Sequence, residues 1–448
     1  MEKKLEGVHD GFKELGAGKM AVLGIQHVFA MFGATVLVPL LTGLSVAVTL
    51  FCAGIGTILF YFITKRKVPI FLGSSFAFLA AFATITRNAD GVLMPELLPY
   101  ATGGVVCAGA VYVVLALLFQ VFGAKKIMKL FPPVVTGPII ILIGLILAPV
   151  GLINASSNWI LAIVAIALII IANIYGKGMV KILPLLIGIF GSYIVGTVIS
   201  LCSGNALFGL PWVDFTGLKI ESIKDIVSVP PFFLPKFEIG AIITCCVVAL
   251  AAMIEHIGDI AAIGATCGKN FIADPGLTRT LLGDGLATSL AGVIGGPANT
   301  TYSENTGVVA LTKVYDPKVM LLAAIFTVLL SFISIFESFI NTIPWSIIGG
   351  VSLMLYGMIS ATGVRTIVEN KVDFKNFRNV IVAALILACG LGFNTYPLTI
   401  VIGSVNLSFG GLACAAVIGI FVNAVLPGKD YQFDDGQGDI SIKGYIQQ

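Results

Sequence analysis

The sequence is short of charge. Only 11% of its 448 residues are Asp, Glu, Lys or Arg, whereas 58% are hydrophobic. Soluble domains carry roughly 25% charged residues, so this chain could not cover a water-facing surface of its own size. Long apolar runs such as 139–152 and 160–172 stand where charge is missing. The lipid bilayer is therefore the expected solvent for most of the molecular surface.

Paired cysteines and alternating apolar strands are also missing. The eight cysteines are scattered and form no C-x-x-C pair, which argues against a disulfide framework and a zinc site. Without the short alternating stretches of a β-barrel, helices are the only structures that can span the bilayer. The net charge of +3 comes from short loops and does not indicate nucleic acid binding. We expect no cofactor and no metal.

The expected fold class is an all-α integral membrane protein, because the apolar runs approach the length of about 20 residues that a helix needs to cross. The hydropathy pattern predicts about fourteen transmembrane segments. Their approximate limits are 20–41, 44–64, 69–86, 101–122, 134–153, 159–175, 182–200, 238–266, 280–295, 297–311, 318–336, 343–360, 379–396 and 404–426.

Loop charges set the predicted orientation. Lys and Arg concentrate in every second loop, at 65–67, 125–129, 177–181, 269–279, 313–318, 365–378 and Lys429. The opposite loops are nearly free of them, apart from Arg87 and the long loop between spans 7 and 8. Positive loops stay in the cytoplasm, so the pattern predicts a multi-pass protein of the cytoplasmic membrane with both termini inside.

The chain divides into two halves of seven spans. Residues 1–200 form the first half, 201–237 an extracellular connecting loop, 238–428 the second half, and 429–448 a cytoplasmic tail. Seven is odd, so the second half must insert upside down relative to the first. This is the inverted-repeat plan of many secondary transporters.

The third segment of each half is short and interrupted by Pro and Gly, at 68–75 and 295–302. Extended backbone inside a membrane is tolerated only where it lines a cavity. Such paired breaks indicate a binding site near the middle of the bilayer. Each break also exposes a helix N-terminus, whose free N–H groups can donate to a ligand.

Four acidic residues lie inside predicted spans, where charge is costly and marks function by default: Glu255, Asp259, Asp284 and Glu304. Glu255 and Asp259 are four residues apart and share one helix face. Burial and mutual repulsion both favour a protonated carboxylate, so this pair suits proton coupling. Structural roles stay open: Asp259 can pair with a buried donor such as His27, Asp284 can brace a neighbouring helix, and Glu304 can cap its half-helix.

Two polar pairs accompany these acids. Gln26 and His27 in span 1 are expected to reach the site or its surroundings. His256 follows Glu255 and therefore points about 100° away around the helix. That direction favours a hydrogen-bonded core histidine rather than a ligand.

Residues 304–313, Glu-Asn-Thr-Gly-Val-Val-Ala-Leu-Thr-Lys, resemble the signature of the nucleobase–ascorbate transporters. Gln26-His27, Gly73-Ser74-Ser75-Phe76 and Glu255-His256 also match family positions in order. The resemblance covers essentially the whole chain. It implies a secondary transporter that takes up a nucleobase, with a proton as coupling ion and no enzymatic activity.

The resemblance also implies an architecture and a set of site residues. Spans 1–4 and 8–11 would form a core domain, spans 5–7 and 12–14 a gate domain, and short strands in spans 3 and 10 would meet at the site. Members pair through the gate domain, so a homodimer is an expectation. The acids Glu255 and Glu304 would bind the ring N–H groups. The expected substrate-binding residues are Gln26, Ser75, Phe76, Glu255, Tyr302, Ser303 and Glu304, and the expected proton-coupling or supporting residues are His27, Asp259, Asp284 and Asn305.

Several alternatives stay open at this point. Glu304 resembles the uracil branch, whereas xanthine and urate carriers place Gln there. The resemblance therefore implies a uracil importer that works by proton symport with alternating access. Asp259 departs from the uracil pattern, which has His, and Ser303 replaces a glycine. A purine carrier on the same scaffold is therefore the main alternative. An anion transporter would not place two carboxylates at its site. An intramembrane aspartyl protease needs Gly-x-Gly-Asp, which neither 256–259 nor 281–284 provides.

Overall fold

The structure is a computed structural model that describes residues 7–88, 92–123, 128–203, 212–213, 226–402 and 405–428. The predicted inside charges Lys125, Lys126 and Lys429 lie outside the described residues, as do much of the 201–237 loop and the whole 429–448 tail. Helices dominate the described part.

The elements follow the predicted order. The first half contains α1 (Gly16–Thr42), α2 (Val46–Ile63), β1 (Leu72–Ser74), α3 (Leu79–Thr86), α4 (Leu98–Phe122), α5 (Pro133–Ser156), α6 (Trp159–Ile174) and α7 (Pro184–Ser203). The second half contains α8 (Ile239–Cys267), α9 (Leu277–Val293), β2 (Asn299–Thr301), α10 (Ser303–Thr312), α11 (Lys318–Ser331), α12 (Ser334–Ile340), α13 (Trp345–Glu369), α14 (Phe377–Thr395), β3 (Leu398–Ile402), β4 (Val405–Phe409) and α15 (Gly411–Val425). Short helical turns cover Gly11–Glu14, Phe76–Phe78, Pro95–Leu97, Met128–Leu130, Met179–Ile182 and Ile272–Gly276.

Among the described residues, eight helices are long and apolar enough to cross a membrane: α1, α2, α4, α5, α7, α8, α13 and α14. A ninth crossing results if α11 and α12, which meet at 84°, count as one bent span. The other predicted segments coincide with helices of 10–17 residues. Such helices rise only roughly 15–26 Å, less than the bilayer core of about 30 Å. The chain is a multi-pass membrane protein, and the count of fourteen spans stays a prediction.

The helices pack in two groups. Helices α1, α2, α4, α8, α9 and α11 pack on one another and surround β1, β2, α3 and α10. Helices α5, α6, α7, α13, α14 and α15 form the other group, in which α5 and α13 pack most closely. Contacts between the groups are fewer and run mainly from α8 to α15 and β4, and from α1 to α7.

The packing pattern repeats between the halves. The pair α4–α9 has a counterpart in α2–α11, and α4–α8 has one in α1–α11. In the other group, the pair α6–α7 corresponds to α14–α15, and the pair α6–α13 corresponds to α5–α14. Exchanging each element with the one at the same place in the other half thus reproduces the strong contacts.

Within the described residues, two short antiparallel sheets interrupt the helices. Strand β1 pairs with β2 across the two halves, and β3 pairs with β4 in a hairpin between α14 and α15. The predicted start of the last span at 404 is therefore too early, because residues 405–409 form β4 and the helix begins at Gly411. Their alternating apolar and polar side chains are typical of a strand.

The N-terminal segment is attached to the loop that follows α10. Val8 forms a parallel bridge with Val314, and the Gly11 N–H donates to Oδ2 of Asp316 at 2.8 Å. Lys318 Nζ lies 3.1 Å from Oδ1 of Asp10. Residues 7–14 therefore hold the end of α10 that is remote from β2.

Candidate functional site

The two broken segments meet as a three-residue antiparallel ladder. Leu72 pairs with Thr301 and Ser74 with Asn299. The ladder is extended by hydrogen bonds from Ser75 N to Ala298 O at 2.8 Å and from Tyr302 N to Phe71 O at 3.0 Å. Helical turns begin at Phe76 after β1 and at Ser303 after β2. Because the strands are antiparallel, these helix N-termini start from opposite ends of the ladder, roughly 10 Å apart.

Neighbouring helices satisfy the polar groups of the ladder. The Asn299 side chain donates to Cys52 O at 3.2 Å and to Ala287 O at 3.4 Å. Thr288 Oγ1 donates to Asn299 O at 3.0 Å, and the Thr57 hydroxyl bonds to the backbone of Leu72. Helices α2 and α9 thereby position the strands, since a buried backbone group without a partner is costly.

Tyr302 braces the ladder from within. Its hydroxyl donates to Ser74 O at 2.8 Å and also contacts Ser74 Oγ at 3.2 Å. Its ring lies on Gly73, where an added Cβ would approach the ring closer than 3.0 Å. The side chain is only 3% exposed. Tyr302 therefore contacts β1, and its predicted part in substrate binding stays a prediction.

Helix α8 brings two carboxylates to the ladder. It contacts both the Phe76–Phe78 turn and α10, and it carries Glu255 and Asp259 on partly buried positions. Glu304 lies in the first turn of α10, is also partly buried, and interacts electrostatically with Glu255. The two acids therefore lie on helices that pack on each other, and their joint binding of one ligand stays a prediction.

An open face runs beside these carboxylates. Gly258 lies three residues after Glu255, and Gly307 lies three residues after Glu304. Both glycines are exposed, and no atom lies within 4 Å of a Cβ built on either. Ser303 is exposed as well. Residues three apart share a helix face, so each acid borders open space rather than packed protein.

Asp259 has a different partner. Its Oδ2 accepts a hydrogen bond from Thr301 Oγ1 at 2.7 Å. The suggested pairing with His27 is absent, because the ring Nδ1 and backbone carbonyl of His27 lie 3.1 Å from the amide nitrogen of Asn305. Both His27 and Asn305 are fully buried. They link α1 to α10 directly behind Glu304.

The remaining predicted residues lie in different parts of the first helix group. Ser75 and Phe76 lie at the end of β1, and Ser75 Oγ is fully buried without a hydrogen-bond partner among the described residues. Gln26 is half-buried on α1. Asp284 lies elsewhere, on α9, with its Oδ2 at 3.1 Å from Nδ1 of His256. It therefore belongs to the interior of the first helix group rather than to the open face.

Thr301, Gly258 and Gly307 are not among the residues predicted from the sequence. Thr301 occurs in the second broken segment, but nothing in the sequence shows that its hydroxyl meets Asp259. The two glycines carry a usable signal: each follows an acid by three residues, a spacing that removes bulk from the same helix face.

Residues 18–399 match the sequence model of a family described as the permease family. The chain belongs to this family, the nucleobase–ascorbate transporters. It is a transporter and not an enzyme, and the family resemblance drawn from the signature is confirmed.

Similar proteins cover nearly the whole permease. A probable uracil permease of Pasteurella multocida is 37% identical over 424 residues, covering 92% of this chain and 95% of the relative. A uracil permease of Bacillus subtilis is 36% identical over 442 residues, covering 94% and 95%.

Solved structures share the fold. The transmembrane domain of the cyanobacterial bicarbonate transporter BicA aligns with a TM-score of 0.62 at 14% identity, covering 93% of this chain and 99% of that domain. The murine anion transporter Slc26a9 in its inward-facing state aligns with a TM-score of 0.63 at 10% identity, covering 90% and 67%. At these identities the likeness concerns the fold alone.

Proposed function

We propose that this permease imports uracil across the cytoplasmic membrane by proton symport with alternating access. The observation that carries the proposal is geometric: Glu255 on α8 and Glu304 at the start of α10 lie on helices that pack on each other, and each acid is followed three residues later by an exposed glycine. Uracil presents two N–H donors and two carbonyl acceptors on one flat ring. Carboxylates accept from N–H groups, and the helix N-termini at Phe76 and Ser303 supply N–H donors for carbonyls.

The named relatives support uracil as the substrate, since both are uracil permeases by name. Glu304 supports the same choice within the family. A xanthine or urate carrier is the alternative, because Asp259 stands where the uracil pattern has His. An anion site is disfavoured, since two carboxylates would repel a negative ligand, although the folds of anion transporters are similar.

Alternating access would use the two helix groups. We assign spans 1–4 and 8–11 to a core domain and spans 5–7 and 12–14 to a gate domain, in two inverted repeats of seven. The packing within each group, and its repetition between halves, supports this assignment. Sparse contacts between the groups would let one slide against the other.

The open face suggests which side is accessible. On α8 the exposed positions Gly258, Ala262 and Ala265 lead from Glu255 towards the loop after Cys267. On α10, exposed positions likewise lead from Glu304 towards Lys313. Both loops carry the positive charge assigned to the cytoplasm. In contrast, the start of α3 is buried. These exposures support the proposal that the face opens to the cytoplasm, as in an inward-open transporter.

Proton coupling would use the same acids. Glu255 and Asp259 lie one turn apart, and Asp259 is held by Thr301 in β2. A proton on Asp259 would remove its acceptor charge and loosen this link between α8 and the strand. Substrate binding at Glu304 and protonation of Asp259 would then both act on the segment formed by β2 and the start of α10.

Radiolabelled uracil uptake into proteoliposomes tests the proposal, with and without a proton gradient and with xanthine as competitor. We expect gradient-driven uptake that xanthine inhibits weakly. Glu304→Gln should lower uracil uptake and raise the relative inhibition by xanthine. Uptake that does not depend on the proton gradient would contradict the proposed symport. Unchanged selectivity between uracil and xanthine in Glu304→Gln would contradict the proposed role of Glu304.

A further inference from the structure

A second buried polar contact lies inside the first helix group, away from the open face. His256 on α8 and Asp284 on α9 are both fully buried, with Nδ1 and Oδ2 3.1 Å apart. The contact has ion-pair distance but misses hydrogen-bond alignment, and His256 Nε2 has no hydrogen-bond partner in the described part of the chain. Phe60 lies edge-on to the imidazole at 6.2 Å between ring centroids.

This contact connects two helices that otherwise touch little. Helices α8 and α9 each pack extensively on α4 but make few contacts with each other. Tyr112 of α4 lies close by, yet its hydroxyl has no hydrogen-bond partner among the described residues. The imidazole and the carboxylate therefore supply the polar link between α8 and α9 at this level.

Each of the two helices positions one acid of the site. Glu255 directly precedes His256 on α8. Helix α9 holds β2 through Thr288 and Asn299, and β2 leads into the turn that carries Glu304. The relative placement of the two acids therefore depends on how α8 is fixed to α9, in addition to the direct hydrogen bond between Thr301 and Asp259.

A buried carboxylate needs a compensating partner, because an isolated charge is strongly disfavoured in protein surrounded by lipid. We propose that His256 is a positioning residue: with Asp284 it locks α8 to α9 and so sets the separation of Glu255 and Glu304. This inference rests on the proposed function only for the identity of the ligand. The packing role itself concerns the protein alone.

The test replaces His256 with Leu, which keeps bulk but removes the polar contact, and with Asn, whose amide can approach Asp284. The exchange variant His256→Asp/Asp284→His restores the pair in reverse. Thr244→Val serves as the control, because it removes a buried hydroxyl on α8 about 18 Å away along the helix. Uracil affinity is measured by calorimetry on purified protein, and hydrogen exchange is measured by mass spectrometry.

We expect His256→Leu to weaken uracil binding at least tenfold and to speed hydrogen exchange in residues 299–304 at least tenfold. His256→Asn or the exchange variant should recover most of both effects, and Thr244→Val should change neither. A residue needed only for folding would lower the yield without changing the affinity of the folded fraction. If His256→Leu cannot be purified, two other variants test the proposal. His256→Asn should then show uracil affinity and hydrogen exchange close to wild type, and Asp284→Asn should show weaker binding and faster exchange.

Wild-type exchange and affinity in His256→Leu, or wild-type values in Asp284→Asn, would overturn the positioning role. Failure of the wild-type protein to bind uracil would instead count against the proposed substrate. The exchange measurement decides the inference in that case as well, since it needs no ligand.

Discussion

Replacing Gly73 with Ala should destabilise the ladder at the centre of the molecule. An added Cβ would press into the Tyr302 ring and would lie 2.9 Å from Thr35 Oγ1. The ring is buried and hydrogen-bonded to Ser74, so it cannot move aside freely. Inserting a methyl group into a packed core costs about 1–3 kcal/mol. Losing the tyrosine hydrogen bond adds about 1–3 kcal/mol, giving roughly 2–6 kcal/mol in total.

The assay is equilibrium unfolding in mixed micelles, with uracil uptake measured on the same preparations. Gly392→Ala is the matched control, because nothing lies within 4 Å of a Cβ there. The second variant, Gly73→Ala/Tyr302→Leu, removes the obstructing ring. It should be less destabilised than the sum of the single changes by about 0.5–3 kcal/mol, as for contacting residues. Stability of Gly73→Ala equal to the control, or strict additivity in the double variant, would refute the packing argument.

Three further predictions concern other contacts. Thr301→Val leaves Asp259 without its donor, so uracil KM should rise roughly tenfold or more, and Thr301→Ser should restore it; equal values for the two variants would contradict the link. Gly144→Ala drives a Cβ into Tyr356 O and Ser360 Oγ, so the free energy of unfolding should fall by about 1–3 kcal/mol, whereas Gly357→Ala, with open space, should not lower it. Lys13 and then Lys318 hold the pKa of Asp10 below its ordinary value. Its carboxylate therefore stabilises the N-terminal attachment at neutral pH and loses that effect as the pH falls through the lowered pKa. Asp10→Asn should accordingly speed hydrogen exchange of 7–14 at neutral pH, and exchange equal to wild type would argue against the attachment.

Much of the architecture follows from the sequence because the bilayer restricts which backbone structures can span it. The length of the apolar runs predicts the helices, and the paired breaks at 68–75 and 295–302 indicate where strands replace helix. The break positions agree with β1 and β2. The β3–β4 hairpin was not predicted: residues 405–409 directly precede an apolar helix and were counted with its span, whereas 398–402 fall between two predicted spans.

The site was predictable in its acids and less so in its contacts. A charge inside a span is costly whatever the fold, so Glu255, Asp259, Asp284 and Glu304 stand out by their positions in predicted spans. The family resemblance then selects Glu255 and Glu304 as the binding pair. Partners depend on helix rotation, which hydropathy does not fix. This is why Asp259 meets Thr301 instead of His27, and why Tyr302 contacts Ser74. The same limit hid the contact between His256 and Asp284, whose residues are distant in sequence.

The central claim is that Glu255 and Glu304 together bind one nucleobase. Isothermal titration of uracil into the purified wild-type protein and into Glu255→Gln and Glu304→Gln tests it most directly. A hydrogen bond to a charged group contributes about 1.5–3 kcal/mol, so each substitution should weaken binding roughly 10- to 100-fold. Wild-type affinity in either variant, with the folded state intact, would contradict the claim.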